Sequence, residues 1–575
     1  MYDYVVVGGG TAGVAIAVRL SQGLPSASIL LIEAGPIVWD ELKINVPGMK
    51  GSALGGKYDW NFTTVAQLSA HNRVFPVNRG KVLGGCSALN LMTYNRAVVN
   101  EYDTWEDLGN TGWNWQNMMA AMKKSENFTG TNTATYGSPS GVGDSGPVHA
   151  VVNRFVPEQQ DTWIPTMNSL GIAHNPSSLD GDSLGVMYQP SSVDPTHYNR
   201  SYSANAYMPL AGSNLYILSE TTVAKIDFSA DSGSQRATGV TLQNGTTIAV
   251  RREVILSAGA VQSPVLLELS GIGNATLLSA AGITTIIDLP SVGENLQDHL
   301  RVMTSYQLKS NYSSLDLFKY NATYAAEQLS LWNDGQYSRY DYTGSAFAMQ
   351  TWNQTLGSDA TLVSLAERAI SDDAGVVQKK KLELLSDDLV PQIEIIFSDG
   401  YTGFKGYPSS DSPLFGKNFF SLLAVIMHPL SRGSIHIDPS APSGKPIINP
   451  NYLSNDYDLE AVTQAAKYNR KIAQTAPMNE LWDIEYEPGL STVTTDADWK
   501  DYVLNTTLSI YHPSGTCSML PKADGGVVDS NLTVYGTTNL RVADASIIPL
   551  LISGHLQTAV YGIAEIAAEK IISAA

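Results

Sequence analysis

Residues 4–13 have the sequence YVVVGGGTAG, in which a short apolar, β-branched run stops at closely spaced glycines. The run predicts a β-strand, and the apolar pattern of residues 14–20 predicts a helix directly after the glycines. A second predicted strand, residues 29–32, ends on Glu33. This order of strand, glycines, helix, strand and acid is typical of a dinucleotide-binding unit.

The residues of this fingerprint have separate physical roles. Gly8 would permit the tight turn, Gly10 the close approach of a pyrophosphate to the backbone, and Gly13 the packing of the helix. The helix N-terminus would turn the positive end of its dipole towards the phosphates. Glu33 would accept hydrogen bonds from a ribose diol and repel a 2′-phosphate, which favours FAD or NAD over NADP.

Length and composition bound the class of protein. The 575 residues allow about four domains of roughly 150 residues, and two or three larger interwoven domains fit equally well. With 43% hydrophobic and 15% charged residues, the chain is predicted to be compact and globular. The balance of 35 basic and 54 acidic residues, a net charge of −19, disfavours nucleic acid and anionic membranes as partners. No apolar run approaches the roughly 18 residues of a membrane span.

Sequons and cysteines bear on the compartment. The two cysteines, Cys86 and Cys517, exclude a disulfide scaffold and an all-cysteine metal site. The chain starts directly on a strand pattern, so we expect a mature secreted protein whose signal peptide is absent from this sequence. Asn-x-Ser/Thr sequons, expected in an extracellular N-glycosylated protein, stand at Asn61, Asn127, Asn199, Asn244, Asn274, Asn311, Asn321, Asn353, Asn505 and Asn531.

The remaining elements follow from hydrophobic periodicity. A small antiparallel meander is predicted from strands at residues 214–219, 223–228, 237–242, 247–250 and 253–257, and a helix follows at 263–269. Strands of a second sheet are predicted at 392–397, 419–427 and 433–437. Further helices are predicted at 325–333, 362–370, 458–474 and about 558–573.

Six ordered motifs resemble the glucose-methanol-choline (GMC) oxidoreductases, FAD enzymes that oxidise alcohols, and the resemblance runs from end to end. They are the N-terminal fingerprint and residues 80–90 (GKVLGGCSALN), 259–273, 292–299 (VGENLQDH), 512–517 (HPSGTC) and 542–546 (VADAS). The resemblance implies an α/β fold, α+β overall. A Rossmann-like FAD-binding domain would comprise residues 1–150, 212–300 and 508–575. A substrate-binding domain, residues 151–211 and 301–507, would be built on an antiparallel sheet flanked by helices.

The resemblance also implies which residues hold FAD. The ADP portion would lie at Gly8, Gly10, Thr11, Ala12, Gly13, Glu33 and Ala34, with the backbone of Val223 at adenine. Gly84 and Ser87 belong to the second glycine-rich stretch, and the flavin ring would lie beside Asn90, Leu91, Met92 and Thr93. Asp544 and Ala545 would lie near the ribityl chain, with Gln557 and Thr558 close by. Leu89 stands where some relatives carry a flavin-linking histidine, so noncovalent FAD is expected. Cys86 departs from the smaller or hydroxylated residue of most members.

Alcohol oxidation requires a base that takes the hydroxyl proton while hydride leaves the carbinol carbon, a task suited to histidine. His512 and His555 match the family's active-site pair. His512 would be the base, and His555 would hold the substrate oxygen and share the proton. No metal-ligand spacing accompanies either residue, so no metal is expected. His299 is expected to have a structural role near the flavin.

The resemblance to aryl-alcohol oxidases implies a substrate slot. Leu91, Phe397 and Tyr511 would line it with His512 and His555, and Tyr401 or Phe404 would complete it. Such an aromatic slot suits a benzylic, furanic or allylic alcohol. Alternatively, Phe397 and Tyr511 are ordinary core aromatics. Leu91 replaces the aromatic residue usual in aryl-alcohol oxidases, which leaves a bulkier or non-benzylic substrate open.

The sequence therefore predicts an FAD-dependent oxidase of the aryl-alcohol or hydroxymethylfurfural type, which converts a small neutral primary alcohol and O2 to aldehyde and H2O2. One alternative is a dehydrogenase that uses quinone acceptors. Another is a secondary-metabolite enzyme of the same fold, either an oxidase or a non-redox cyclase or lyase. A flavin-binding protein without turnover is disfavoured by the intact histidine pair. A monomer or a homodimer is expected.

Overall fold

A computed structural model describes residues 1–130, 140–371 and 374–575 and contains two large sheets within those ranges. The first sheet is mainly parallel and begins with the strand of the glycine fingerprint. Its spatial order is Leu215–Leu218, Ile29–Ile32, Tyr2–Val7, Thr247–Leu256, Ser234–Leu242 and Val223–Asp231, and Leu540–Val542 pairs with Thr247–Leu256.

A helical layer packs on the first sheet through Thr11–Gly23, which contacts the strands Tyr2–Val7 and Ile29–Ile32. The fingerprint helix Thr11–Gly23 packs against the C-terminal helix Gln557–Ala574, which in turn packs against Trp115–Ser125. The central strand Tyr2–Val7 becomes completely buried over its last four residues. Such a continuous apolar strand is expected where both faces of a parallel sheet are covered.

The predicted meander differs from the observed one. Strand Leu215–Leu218 pairs in parallel with Ile29–Ile32 and so belongs to the main sheet. The two strands predicted at 247–250 and 253–257 form one continuous strand, Thr247–Leu256. Its first half pairs with the meander and its second half pairs with Tyr2–Val7. The alternation of apolar and polar residues in the sequence indicates that a strand is half-buried, but it does not show which strand pairs with it.

The second sheet is antiparallel, as predicted. Its order is Trp482–Glu487, Leu300–Leu308, Phe419–Ile426, Ile393–Asp399, Ala346–Gln350 and Gly185–Tyr188, with Leu508–Ser509 paired to Leu300–Leu308. Side chains alternate between its two faces. Helices Ala360–Ala369, Asp456–Ala473 and Asp496–Thr506 pack on or behind one face, and the other face carries residues that line a cavity.

The predicted strand at 433–437 is wrong as a member of this sheet, because Ser434–His436 forms a separate ribbon with Ile447–Asn449. The other small ribbons are Phe62–Thr63 with Pro76–Val77, Glu126–Thr129 with Val148–Val151, Val193–Asp194 with Asn199–Arg200, and Ile272–Gly273 with Ile287–Asp288. The other helices are Leu42–Asn45, Cys86–Leu89, Val99–Asp107, Trp163–Ser169, Ser203–Tyr207, Gly259–Leu269, Ala275–Ala280, Leu317–Tyr320, Ala322–Asn333, Trp352–Leu356 and Val376–Leu385.

These two sheets and their helices confirm the predicted mixed α/β architecture. Among the described residues, no helix combines the length and the apolar character that crossing a bilayer requires. The predicted boundaries of the two domains stay predictions.

Candidate active site

A cavity of about 890 Å³ runs from the glycine fingerprint to the two candidate histidines. It is long, and its wall takes residues from both sheets. The predicted site residues that line it are Gly8, Gly10, Thr11, Ala12, Glu33, Ala34, Ser87, Asn90, Leu91, Met92, Thr93, Val223, Tyr511, His512, Asp544, Ala545, His555 and Gln557. Residues separated by more than 500 positions in the chain therefore share one cavity.

The glycines at its first end leave room for a ligand close to the backbone. Gly8 has a φ of +101°, and a Cβ there would lie 2.5 Å from the carbonyl oxygen of Ser257. A Cβ on Gly10 would meet nothing closer than the Cα of Gly85, at 3.9 Å. The backbone of Gly10 is thus open to the cavity, as a pyrophosphate at the helix N-terminus requires.

Glu33 lies at the same end with its carboxylate buried. One oxygen accepts the backbone N–H of Gly9 and the other that of Gly35, both at 2.8 Å. Burial raises the pKa of Glu33 to about 7 despite these hydrogen bonds. Each oxygen has a further lone pair for a ribose hydroxyl.

Asp544 joins the C-terminal motif to the helix Gly259–Leu269. Its Oδ2 accepts the N–H of Gly259 at 2.8 Å and the hydroxyl of Ser263 at 2.6 Å. Its Oδ1 accepts the N–H of Ser546 at 2.8 Å. Two family motifs about 280 residues apart are therefore held together at the cavity wall.

Asn90 and Gln557 meet further along the cavity. The Asn90 amide donates to Oε1 of Gln557, and Arg200 donates to Oδ1 of Asn90 at 2.7 Å. The buried Nε2 of Gln557 has no hydrogen-bond partner among the described residues. An orphaned donor on a cavity wall fits a ligand that supplies an acceptor.

Three predicted cofactor residues support the cavity from behind and do not line it. A Cβ on Gly13 would lie 1.9 Å from the carbonyl oxygen of Gly8, so Gly13 permits close helix packing. Gly84 donates its N–H to the carbonyl of Gly9 at 2.7 Å. The Thr558 hydroxyl donates to the carbonyl of Asn95 at 2.5 Å.

Phe397 does not reach the cavity, which corrects its expected place in the substrate slot. The rings of Trp163 and Phe420 pack against it on the helix-covered face, at centroid distances of 5.7 and 5.2 Å. Because side chains alternate along the strand Ile393–Asp399, the neighbours Ile396 and Ser398 line the cavity instead. Tyr401 also lines the cavity, and Phe404 is exposed.

His512 and His555 lie side by side at the second end of the cavity. Their ring centroids are 4.8 Å apart and their planes are inclined by 79°. The N–H of His512 donates to Oδ1 of Asp298 at 2.8 Å, and the N–H of His555 donates to Oδ1 of Asn95 at 2.8 Å. Both rings are thus anchored through their backbones.

The segment before His512 is held in an unusual conformation. Tyr511 has a φ of +70°, which is rare for a bulky residue. Asp298 is buried, and its Oδ2 accepts the hydroxyls of Ser509 at 2.5 Å and Tyr452 at 2.6 Å. This network holds the strained turn that aims His512 at the cavity.

His299 contacts His512 directly. Their Nδ1 atoms are 2.9 Å apart, and Nε2 of His299 lies 3.0 Å from the carbonyl oxygen of Met427. A carbonyl can only accept, so a neutral His299 donates through Nε2 and presents an unprotonated Nδ1. His512 then donates through Nδ1, which leaves its Nε2 free to accept a proton.

Burial lowers the pKa of both His299 and His512 well below the usual range, and neighbouring positive groups lower it further. Both imidazoles are therefore neutral near pH 7. The chain of Met427, His299 and His512 thus selects one tautomer of the predicted base.

Glu394 approaches the second histidine from the second sheet. Its two carboxylate oxygens each lie 3.2 Å from Nε2 of His555, and Glu394 is completely buried. Sequence reasoning missed Glu394 and underestimated His299. The sequence did contain one signal for Glu394. It alternates with the apolar residues of the strand Ile393–Asp399 on the same face as Ile396 and Ser398, and a buried glutamate is unusual in a strand whose role is only structural.

Three features of this cavity fit a bound FAD molecule. They are the open backbone at Gly10, the carboxylate oxygens of Glu33 that can accept ribose hydroxyls, and the Gln557 amide nitrogen that lacks a hydrogen-bond partner among the described residues. Cys86 lines this cavity, and Cys517 does not. Both are free thiols, and Cys517 is buried.

Comparison with known proteins identifies the family. Two family models, both described as GMC oxidoreductase, match residues 2–301 and 429–564. The GMC oxidoreductase family protein Mala s 12 of Malassezia sympodialis is 36% identical over 99% of this chain and 92% of that protein.

Solved structures agree. An FAD-dependent oxidoreductase from Chaetomium thermophilum is 29% identical with a TM-score of 0.89, covering 100% of this chain and 99% of that one. A fungal aryl-alcohol oxidase is 27% identical with a TM-score of 0.83, covering 100% and 99%. The chain belongs to the GMC oxidoreductase family and is an oxidoreductase, as its motifs predicted, and this membership implies FAD.

Proposed function

We propose that this protein is an FAD-dependent alcohol oxidase with His512 as its catalytic base. The observation that carries the proposal is the pair His512 and His555, with ring centroids 4.8 Å apart, at the end of the cavity opposite the glycine fingerprint. Burial keeps His512 neutral and the contact with His299 leaves its Nε2 free, which is the state a base needs.

The chain's own residues perform binding, orientation and proton transfer. Gly10 and the N-terminus of Thr11–Gly23 would hold the pyrophosphate, Glu33 the ribose, and Asn90 and Gln557 the ring region. His512 Nε2 takes the hydroxyl proton, and His555 holds the alcohol oxygen. Bound FAD supplies the two-electron acceptor that takes hydride from the carbinol carbon and passes the electrons to O2, giving aldehyde and H2O2.

The FAD is proposed to be noncovalent. Leu89, at the end of the short helix Cys86–Leu89, lines the cavity where some relatives carry a flavin-linking histidine, and its side chain cannot form that bond. Acid precipitation of the holoenzyme should therefore release the flavin into the supernatant. Flavin that stays with the pellet would contradict this part of the proposal.

The wall beside the histidines supports a primary aromatic, furanic or allylic alcohol as substrate. Leu91, Phe347, Ile396 and Tyr511 line this part of the cavity. The ring of Phe347 stands edge-on to that of His555, with centroids 6.0 Å apart. A flat apolar group would pack between these side chains while its hydroxymethyl group meets the histidines.

The test is anaerobic mixing of the holoenzyme with benzylic, furanic and allylic alcohols while the flavin absorbance is followed. We expect bleaching, then recovery of colour and release of stoichiometric H2O2 when O2 is admitted. Bleaching that is reversed only by quinones or dyes would show a dehydrogenase and overturn the oxidase assignment. No bleaching by any alcohol would favour a non-redox cyclase or lyase.

Secretion with N-glycosylation is proposed for the same protein. The asparagines of all ten sequons fall within the described residues: seven are exposed, and Asn127, Asn199 and Asn274 are half-buried. Each is thus accessible enough to be considered as an acceptor. Peptide-N-glycosidase treatment of protein secreted from a fungal host should lower its mass, and an unchanged mass would contradict glycosylation.

A further inference from the structure

The cavity wall beside the histidines carries an arginine that the mechanism does not use. Arg301 is the second residue of the strand Leu300–Leu308, and His299 immediately precedes that strand. Arg301 lines the cavity, and its partner across the sheet is Val425, which pairs in turn with Glu394. Arg301 is therefore on the same face of the sheet as Glu394, which contacts His555.

The guanidinium of Arg301 lacks an acidic partner. Its Nε donates to the carbonyl of Ser509 at 3.2 Å, its central carbon lies 5.8 Å from the centre of the Tyr511 ring, and Tyr511 is also a side-chain hydrogen-bond partner. Among the described residues, no carboxylate lies within ion-pair distance of Arg301, and its terminal nitrogens donate to no backbone carbonyl. An enclosed cation without a counter-charge is costly unless a ligand supplies that charge.

The substrate half of the cavity wall has more basic than acidic residues, whereas the whole chain has more acidic than basic residues. The molecule has 35 basic against 54 acidic residues. Basic residues in the substrate half of the cavity wall are Lys50, Arg79, Arg301 and Lys319, and the acids are Asp316 and Asp399.

The two acids leave most of that positive charge unbalanced. Asp316 is paired with Lys319 at 2.8 Å. Burial, with repulsion from Asp316, raises the pKa of Asp399 to about 7, so it is only partly charged at neutral pH. The side chains that line this half thus carry net positive charge, while the buried acids Asp298 and Glu394 lie behind the wall against His512 and His555.

We propose that the substrate of this enzyme is an alcohol that also carries a carboxylate, and that Arg301 binds the carboxylate. This inference rests on the proposed alcohol oxidation and deepens it. It replaces the small neutral alcohol of the sequence-based prediction. The long-range field of the surface does not oppose it, because charges beyond about 8 Å are largely screened at physiological ionic strength.

The spacing limits the size of the substrate. Two residues of extended chain span about 6.6 Å, so the backbone of Arg301 lies roughly one substituted ring away from that of His299, whose side chain contacts the base. The planar guanidinium can pair with a carboxylate through two parallel N–H donors. A ring with a hydroxymethyl group at one end and a carboxylate at the other would meet both sites.

The experiment compares kcat/KM of the holoenzyme for 4-(hydroxymethyl)benzoate and for 4-methylbenzyl alcohol, which is neutral and of similar shape. Wild type should favour the carboxylate by about tenfold or more. Arg301→Gln should lower this ratio about 100-fold. Arg301→Lys should lower it only about tenfold, since lysine keeps the charge but not the two-pronged geometry. Lys50→Gln is the matched control on another part of the wall, and should change the ratio less than about threefold.

Two outcomes would overturn the inference. One is a wild-type preference for the neutral alcohol. The other is a loss of the ratio in Lys50→Gln as large as in Arg301→Gln, which would assign the effect to general positive potential.

A binding measurement separates this inference from the proposed function. 4-Methylbenzoate, which has no alcohol, is titrated into the oxidised holoenzyme and followed by the change in flavin absorbance, with 4-methylbenzamide as the neutral control. Arg301→Gln should raise the Kd of the carboxylate about 30-fold or more. If no alcohol is oxidised, the proposed function fails, but this titration still tests the role of Arg301. An unchanged Kd in Arg301→Gln would contradict the proposed carboxylate site.

Discussion

The Nδ1 atoms of His299 and His512 lie 2.9 Å apart, and Nε2 of His299 lies 3.0 Å from the carbonyl oxygen of Met427. A backbone carbonyl thereby sets the tautomer of the catalytic base through one intervening ring. His299 is a positioning residue, because it acts on the substrate only through His512.

Replacing His299 by leucine should lower kcat for a neutral benzylic alcohol about 100-fold without loss of FAD, because His512 would no longer be held in the tautomer with a free Nε2. His436→Gln is the control, since that ring lies between Glu268 and Glu294 and does not line the cavity. Rapid-reaction flavin reduction measures the effect. Equal rates in the two variants would contradict the positioning role.

The pH dependence should follow the neutral form of His512. Burial, with the neighbouring histidines, lowers the pKa of His512 well below its usual range of about 6.5. A base acts when unprotonated, so activity is complete above that pKa and is lost only as the pH falls through it. For a neutral alcohol, kcat/KM should stay flat from about pH 8 down to about 6.5. An acid limb centred above pH 6.5 would disprove the assignment.

Glu394→Gln should lower kcat about tenfold or more, because an amide does not reproduce the contacts of both carboxylate oxygens with Nε2 of His555. The two residues should act as a unit. In a His555→Ala background, the same change should cost less than about twofold. A double-mutant cycle on flavin reduction measures this coupling, and independent, additive effects would contradict it.

Gly10 and Gly13 should respond differently to alanine. The Cβ at Gly10 has room within the protein, so Gly10→Ala should keep its unfolding temperature without cofactor and lose about tenfold in FAD affinity. The Cβ at Gly13 would lie 1.9 Å from the Gly8 carbonyl oxygen, so Gly13→Ala should destabilise the apoprotein by about 1–3 kcal/mol. Thermal unfolding and flavin titration measure both. Equal stabilities of the two apoproteins would refute the assignment of Gly13 to packing.

The sequence by itself determined the parts of this protein that are local. The turn at Gly8, the open backbone at Gly10 and the acid Glu33 follow one another within 26 residues, and each needs a particular residue type for a local reason. The motifs also pointed to His512 and His555, because these residues match the family's active-site pair and histidine suits the task of a base.

Strand pairing and the facing of side chains were decided only by the tertiary structure. Phe397 and Ile396 are equally apolar in sequence, and only the register of the second sheet turns Phe397 to the helices and Ile396 to the cavity.

The same holds for the groups that surround the base. His299, Glu394 and Arg301 are more than 100 residues from His512 in the chain. Their contacts or proximity arise because Glu394 and Arg301 lie on strands of one sheet and His299 directly precedes the strand of Arg301. Hydrogen bonds and charges act over a few ångströms of space. The periodicity of a sequence does not show which distant residues come within that distance of each other.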